Sequence, residues 1–209
     1  MNILQKYFTD FTPEQVSQFD SLKGLYTEWN EKINVISRKD IDNFYIHHVL
    51  HSLAIAAKFN FEKDMQVMDL GAGGGFPGIP LAIFFPGVNF HLVDSINKKL
   101  KVVDEIALAI GLKNLTTQHT RAEDIKNRQF DVIVSRAVAP LKELWHWSKP
   151  LLKKNKLTEA PNGLICLKGG DLTKEIFESG CKPFVWEIDK IFNEVYFKEK
   201  YILYQPVKR

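Results

Sequence analysis

Asp69 stands at the end of a short apolar strand, and glycines follow it at 71, 73, 74 and 75. A helix start comes next, in the run Phe76-Pro77-Gly78-Ile79-Pro80. Glycine lacks a Cβ, so a loop of this kind turns sharply and lets a ligand lie against the backbone. Strand, glycine loop and helix in that order make the first βα turn of a nucleotide-type site. Gly73, Gly75 and Gly78 fit G-x-G-x-x-G. A triple glycine meets that pattern easily by chance, so the neighbours decide which cofactor it serves. Asp94 ends the next apolar run, His-Leu-Val-Asp, where a carboxylate accepts hydrogen bonds from both ribose hydroxyls of an adenosine cofactor. S-adenosylmethionine has no pyrophosphate to cradle. Its amino-acid end lies on the glycine loop, and Asp69 is placed to hold its ammonium, directly or through water. Arg121-Ala122-Glu123-Asp124 follows a third strand, at the position of an adenine-contacting loop. These local features favour S-adenosylmethionine over NAD.

Two further residues sit at strand ends on the same rim. Arg136 follows Phe-Asp-Val-Ile-Val-Ser and Lys168 follows Leu-Ile-Cys-Leu, at the carboxyl edge where α/β sheets bind ligands. Arginine there clamps a phosphate or a guanine edge, and the lysine meets RNA phosphate. His47, His48 and His51 share a helical stretch, but no Glu follows His47 as in H-E-x-x-H and no third ligand is evident. Packing or hydrogen bonding at the site mouth is the expectation, with His48 the foremost participant, and no metal. Lys98, Lys99 and Lys101, and Lys149, Lys153, Lys154 and Lys156, are either solvated faces or RNA-phosphate contacts. Trp145 and Trp147 fall on opposite sides of a helix, one of them expected in the core.

The elements that must position these residues follow from periodicity. Thr12-Pro13-Glu14 is a helix start, and Phe19, Leu22, Leu25, Tyr26 and Trp29 recur at helical spacing after it. A second helical stretch covers about 41–59. From residue 64 strands near 66–70, 89–93, 115–119, 131–135 and 163–168 alternate with helices near 78–85, 97–110, 141–152 and 171–179. That alternation predicts a Rossmann-like, mostly parallel α/β sheet with helices on both faces. The tail from 183 to 207 supplies two closing strands, which can run antiparallel, and 153–163 is the most loop-like segment. The expected organisation is an N-terminal helical extension, residues 1–60, packed on a catalytic domain of residues 61–209.

Composition sets outer bounds. The chain has 209 residues, 45% hydrophobic and 25% charged, with a formal net charge of +3. That is ordinary for a globular protein and mildly favourable to a polyanionic partner. No apolar run is long enough to span a membrane. The N-terminus has no signal-peptide core, and Cys166 and Cys181 form no metal motif. The expectation is a cytoplasmic protein, by default a monomer, without membrane or DNA as partner.

The sequence also resembles the bacterial 16S ribosomal RNA methyltransferase G family, also called glucose-inhibited division protein B, over nearly its whole length. The matching residues are Trp29-Asn30, Asn34, His48 to Ser52, the loop Gly71 to Ile83, and Asp94-Ser95 with Lys98-Lys99. They continue in Ser135-Arg136-Ala137-Val138-Ala139 and Leu167-Lys168-Gly169. The resemblance implies a class I methyltransferase fold and methyl transfer from S-adenosylmethionine to N7 of one guanine in small-subunit 16S rRNA. Matched positions imply that Gly71 and Phe76 contact the cofactor; with them the expected cofactor-binding set holds Asp69, Ala72, Gly73, Asp94, Ser95 and Arg136. They imply that Ala122 and Glu123 line the adenine, and that Arg136 sits at the cofactor and substrate mouth. Two departures stand in the helical part: His51 where many members have Asp, and Asn34-Val35-Ile36 in place of Asn-Leu-Thr. A small-molecule methyltransferase and an NAD-dependent oxidoreductase are the alternative functions.

Overall fold

The computed structural model describes residues 1–37, 40–154 and 161–207. The chain opens with a single helical turn, α1 (Asn2–Gln5), then a long helix α2 (Pro13–Lys32). Thr12 caps α2 reciprocally. Its hydroxyl accepts the Gln15 N–H at 3.2 Å, and the Gln15 side chain accepts the Thr12 N–H at 2.9 Å. Gln15 then donates to the Ile83 and Phe84 carbonyls at 3.0 and 3.1 Å, tying α2 to the main body. The stripe read from the sequence is the buried one: Phe19, Leu22 and Tyr26 have no exposed surface, each contributing roughly 1.5–3 kcal/mol by burial.

The second helical stretch is not regular. A π-helical segment, Tyr45–Leu50, leads directly into α3 (His51–Lys58). The wider turn departs from the uniform helix expected over 41–59, and such turns concentrate at functional sites.

A seven-stranded sheet follows. In chain order its elements are β1 (Gln66–Leu70), α4 (Gly78–Phe84), β2 (Asn89–Asp94), α5 (Asn97–Ala109), β3 (Leu115–His119) and β4 (Val132–Arg136). Then come α6 (Leu141–Ser148), β5 (Gly163–Gly169), α7 (Thr173–Ser179), β6 (Phe184–Glu187) and β7 (Lys200–Pro206). The strand order is β3-β2-β1-β4-β5-β7-β6. β1 to β5 are parallel, and β7 runs antiparallel to both β5 and β6. Central strands buried on both faces read as apolar runs, which is why they were legible. The tail closes the sheet as expected, with β7 inserted beside β5, so that Lys168 pairs with Tyr201 and Gly169 with Lys200. That register brings the far C-terminal segment to the β5 tip.

One hydrophobic core unites α1, α2, the π-helical turn and α3 with one face of the sheet, through Leu4, Phe19, Tyr26, Phe44, Leu53, Ile79, Leu92 and Ile165. The opposite face packs on α6 and α7 through Met68, Ile133, Leu144, Leu164 and Cys166. Trp145 and Trp147 both pack partly on that second layer, and neither is fully buried, unlike the one-in, one-out expectation. Of the loop expected at 153–163, residues 155–160 lie outside the described residues, as does Lys156.

Candidate functional site

β1 and β4 are neighbours whose connections run to opposite sides of the sheet, the point where open α/β folds form a crevice. A cavity of about 970 Å³ opens there. Its lining divides in two. One lobe is built from Gly71 to Gly74, Phe76, Asp94, Ser95, Ile96 and Lys99; the other from His47, His48, His51, Arg136, Tyr196 and Lys200.

The first lobe is organised by the two strand-end acids in different ways. Asp94 Oδ2 accepts the Gly73 N–H and Oδ1 accepts the Ile96 N–H, both at 2.8 Å, so one carboxylate locks the glycine loop and the entry to α5. Each oxygen keeps a second acceptor site. Asp69 is fully buried and lies behind the loop, not on the cavity wall. Its Oδ2 accepts the Gly78 N–H at 2.8 Å at the start of α4, and its Oδ1 has no hydrogen-bond partner among the described residues. Burial pushes its pKa up to about 7, against the downward pull of the Gly78 N–H and Arg136. The sequence expectation was that Asp69 holds the cofactor's ammonium directly or through water; the structure places it behind the loop, which it braces from inside.

The loop's backbone explains its glycines. Gly71 lies at φ +70°, and a Cβ there would fall 2.5 Å from Val138 Cγ2, so only glycine lets the arch after β4 close over the loop. Gly73, at φ +55°, has nothing within 4 Å of the position its Cβ would take. The open space over Gly73, beside a diol-matched carboxylate, fits an adenosyl group. α2 supports the loop from below, where Tyr26 donates to the Gly74 carbonyl at 2.5 Å. Asn30 also shapes this wall, accepting the N–H groups of Val35 and Ile36 and donating to the Ile36 carbonyl, which sets Val35 against Gly74.

Ala122 and Glu123 begin a short 3₁₀ turn after β3 and do not line the cavity. Ala122 is buried in the second core layer and Glu123 is exposed. β3 pairs with β2, so this turn stands beside the strand tip that carries Asp94.

In the second lobe Arg136 is the hub. Its guanidinium donates to the His47 carbonyl at 3.1 Å and to His48 Nδ1 at 3.2 Å, and rests 5.0 Å from the Phe76 ring centroid. Arginine only donates, so His48 Nδ1 accepts and its proton sits on Nε2. Burial, reinforced by Arg136, pushes the His48 pKa down to about 3, and His51 is also driven well below its usual value. Both imidazoles are neutral at physiological pH. Lys168 lines the cavity but is not free: its Nζ forms an ion pair with Glu175 Oε1 at 2.7 Å and donates to the Ala139 carbonyl. Glu175 also accepts the Leu141 N–H at 2.7 Å. The pair thus pins the arch from Ala137 to Leu141, whose Ala137 adopts φ +54°. Lys168, expected from its strand-end position to meet an RNA phosphate, is engaged here as a brace. Among the described residues no cluster of three or more His, Cys, Asp or Glu is placed to hold a metal.

The family model for rRNA small subunit methyltransferase G matches residues 15–195. The chain belongs to that family. It is 55% identical over 207 residues to the ribosomal RNA small subunit methyltransferase G of Phocaeicola vulgatus, covering 99% of each chain. It is 48% identical over 206 residues to that of Cytophaga hutchinsonii, with the same coverage. Solved structures share the fold at low identity. A SAM-dependent methyltransferase from Aquifex aeolicus aligns with a TM-score of 0.56 at 14% identity, over 81% of this chain and 98% of that one. The ribosomal protein L11 methylase of Lactobacillus delbrueckii subsp. bulgaricus aligns with a TM-score of 0.56 at 18% identity, over 77% of each. The fold is the class I methyltransferase fold, and S-adenosylmethionine is the methyltransferase G cofactor. The oxidoreductase alternative is set aside.

Tyr196 and Lys200 escaped the sequence reading of this methyltransferase G chain. They lie in a tail with no motif, and only the β5–β7 register shows that they reach the cavity. Glu175 was missed for the same reason. A surface helix gives no sign that one of its acids turns inward to a strand-end lysine.

Proposed function

We propose that the chain transfers a methyl group from S-adenosylmethionine to N7 of a guanine in 16S rRNA of the small ribosomal subunit. The single observation that carries this is the two-lobed cavity. A diol-matched carboxylate and an open glycine loop form one lobe, and a donor-rich, cationic second lobe adjoins it. Two lobes meeting at one mouth suit a cofactor and a base presented end to end.

The bound cofactor supplies an activated methyl on a sulfonium. The Gly71–Gly74 backbone, Phe76, Asp94 and Ser95 would hold and orient it, with the second acceptor sites of Asp94 open to its ribose diol. Guanine N7 carries an in-plane lone pair and loses no proton on methylation, so no general base is needed. The chain's task is alignment and exclusion of water. Arg136 positions the substrate from the mouth. His48 holds Arg136 through Nδ1 and, being neutral, adds no charge beside a ring that becomes cationic. Lys168 and Glu175 keep the arch over the cavity in place. The protein is expected to act in the cytoplasm, as a monomer; among the described residues no helix is long and apolar enough to cross a membrane.

The test is methylation of small-subunit particles that lack the modification, with a labelled cofactor and mapping of the labelled base. Label at a guanine N7 of 16S rRNA is the expected result. Label on a small molecule, or on another base atom, would reject the proposal.

A further inference from the structure

Lys200 enters the second lobe from the first residue of β7. Among the described residues it makes no hydrogen bond and no ion pair; its Nζ rests 4.4 Å from the Tyr196 ring centroid. The Tyr196 ring is also stacked on the His47 imidazole, with centroids 3.8 Å apart and planes 16° from parallel. An imidazole that close leaves no room for an ammonium on the same face. The ring is therefore sandwiched, with His47 on one side and Lys200 on the other. Tyr196 cannot stack a nucleobase; it is a post that fixes a lysine. His47 is itself steadied by Asp40, its Nδ1 lying 2.9 Å from Oδ1.

The charges around this post do not balance. Arg136 spends N–H donors on the His47 carbonyl and His48 and retains others of its five. His48 and His51 are neutral, and His51 feels both Arg136 and Lys200. The nearby acids are committed elsewhere: Glu175 to Lys168, Asp40 to His47, Asp94 to the glycine loop, and Asp69 behind the loop. Among the described residues, two cations thus line the same partly buried cavity wall with no ion-paired carboxylate. Partial burial of an unpaired cation is costly, and the cost is recovered when an anion enters. Lysine and arginine are donor-only, and a phosphate is the acceptor-rich anion that a nucleic-acid substrate brings.

We propose that Lys200 and Arg136 form a phosphate subsite for a backbone phosphodiester of the RNA strand, beside the nucleotide whose base enters the cavity. This rests on the RNA-methylation reading. The cofactor's own carboxylate is the other source of the same anion chemistry, and the experiment separates the two.

Full-length protein carrying Lys200→Gln, Lys200→Ala or Lys200→Arg is first titrated calorimetrically with S-adenosylhomocysteine. Initial methylation rates on unmodified small-subunit particles are then measured across about 50–200 mM salt. The expected result is unchanged affinity for S-adenosylhomocysteine in all three variants. In the Gln and Ala variants KM for particles rises about tenfold while kcat stays within about twofold, and the slope of log(1/KM) against log[salt] shrinks by about 0.7–0.9, the loss of one phosphate contact. Lys200→Arg restores both KM and slope. Unchanged KM and slope in the Gln and Ala variants would overturn the subsite. So would weakened S-adenosylhomocysteine binding, which would assign the anion to the cofactor. If the wild-type protein binds S-adenosylhomocysteine but methylates no particle, the RNA reading itself is lost, an outcome visible before any variant is compared.

Discussion

The two lobes of the cavity are built on opposite plans. The glycine-loop lobe is contiguous: nearly all of it comes from residues 71–76 and 94–99, two loops at adjacent strand tips, cross-linked by the Asp94–Gly73 hydrogen bond. The second lobe is assembled from residues 47–51, 136 and 196–200, segments separated by up to about 150 positions. The first is backbone held by carboxylates. The second is side chains held by one arginine and one tyrosine. A backbone site depends on conformations that only glycine tolerates, whereas a side-chain site depends on charge and on which rings are already stacked.

The largest expected effect tests the backbone lobe. Gly73→Val puts a branched side chain at φ +55° into the open space over the loop. Calorimetry should show S-adenosylhomocysteine affinity reduced at least about 100-fold, near 2.7 kcal/mol. The left-handed backbone itself costs about 1–2 kcal/mol in stability. Retained binding would show that the cofactor does not lie on Gly73.

Arg136→Ala should separate the lobes. kcat/KM on small-subunit particles falls about 100-fold, about 2.7 kcal/mol of transition-state stabilisation. S-adenosylhomocysteine affinity changes by less than about threefold. Equal loss in both measurements would erase the distinction between the lobes, and wild-type activity would remove Arg136 from the site.

The lobes also respond to pH in opposite senses. His48 is neutral when folded, its pKa lowered from 6.5 to about 3 by burial and Arg136. Below pH 6.5 the unfolded chain takes up a proton that the folded chain refuses, so this residue costs stability progressively from pH 6.5 down to about 3. Asp69 runs the other way. Its pKa rises from 3.8 to about 7, so its contribution is fully present below pH 3.8 and is lost as pH climbs through about 7. Relative to the wild type, melting temperatures should fall less steeply as pH is lowered below 6.5 in His48→Gln, and fall less steeply as pH is raised from 4 to 7 in Asp69→Asn. Parallel curves for all three proteins would contradict the burial of these groups.

The smallest effect belongs to the brace. Lys168→Met leaves Glu175 with the Leu141 N–H alone and frees the Ala139 carbonyl. A loss of about 1–2 kcal/mol on denaturant unfolding is expected. A rise in particle KM without loss of stability would restore Lys168 to the RNA-contact role its sequence position suggested.

The contrast between lobes is also a contrast in legibility. Gly71, Gly73, Phe76, Asp94 and Ser95 were readable because strand, loop and helix are consecutive, and their spacing carries the geometry. Arg136 was readable from its place after an apolar strand. Asp69 was readable as a strand-end acid, but a sequence cannot say on which side of a loop an acid points, and this one lies behind it. Ala122 and Glu123 were expected at the adenine; they stand in a short turn after β3, next to the β2 tip, outside the residues that line the cavity. Lys168 was read as a free cation because its partner lies on a separate surface helix.

The sequence by itself determined the parallel sheet, the glycine turn, the two acids and the family, since each is written in short-range pattern, apolar period and local spacing. The tertiary structure alone decided which charges are paired and which remain open. Tyr196 and Lys200 reach the β5 tip only because β7 inserts antiparallel beside β5, and His48 loses its charge because the fold buries it and sets Arg136 against it. Electrostatic balance depends on distances between segments remote in the chain, and no local pattern of residues encodes those distances.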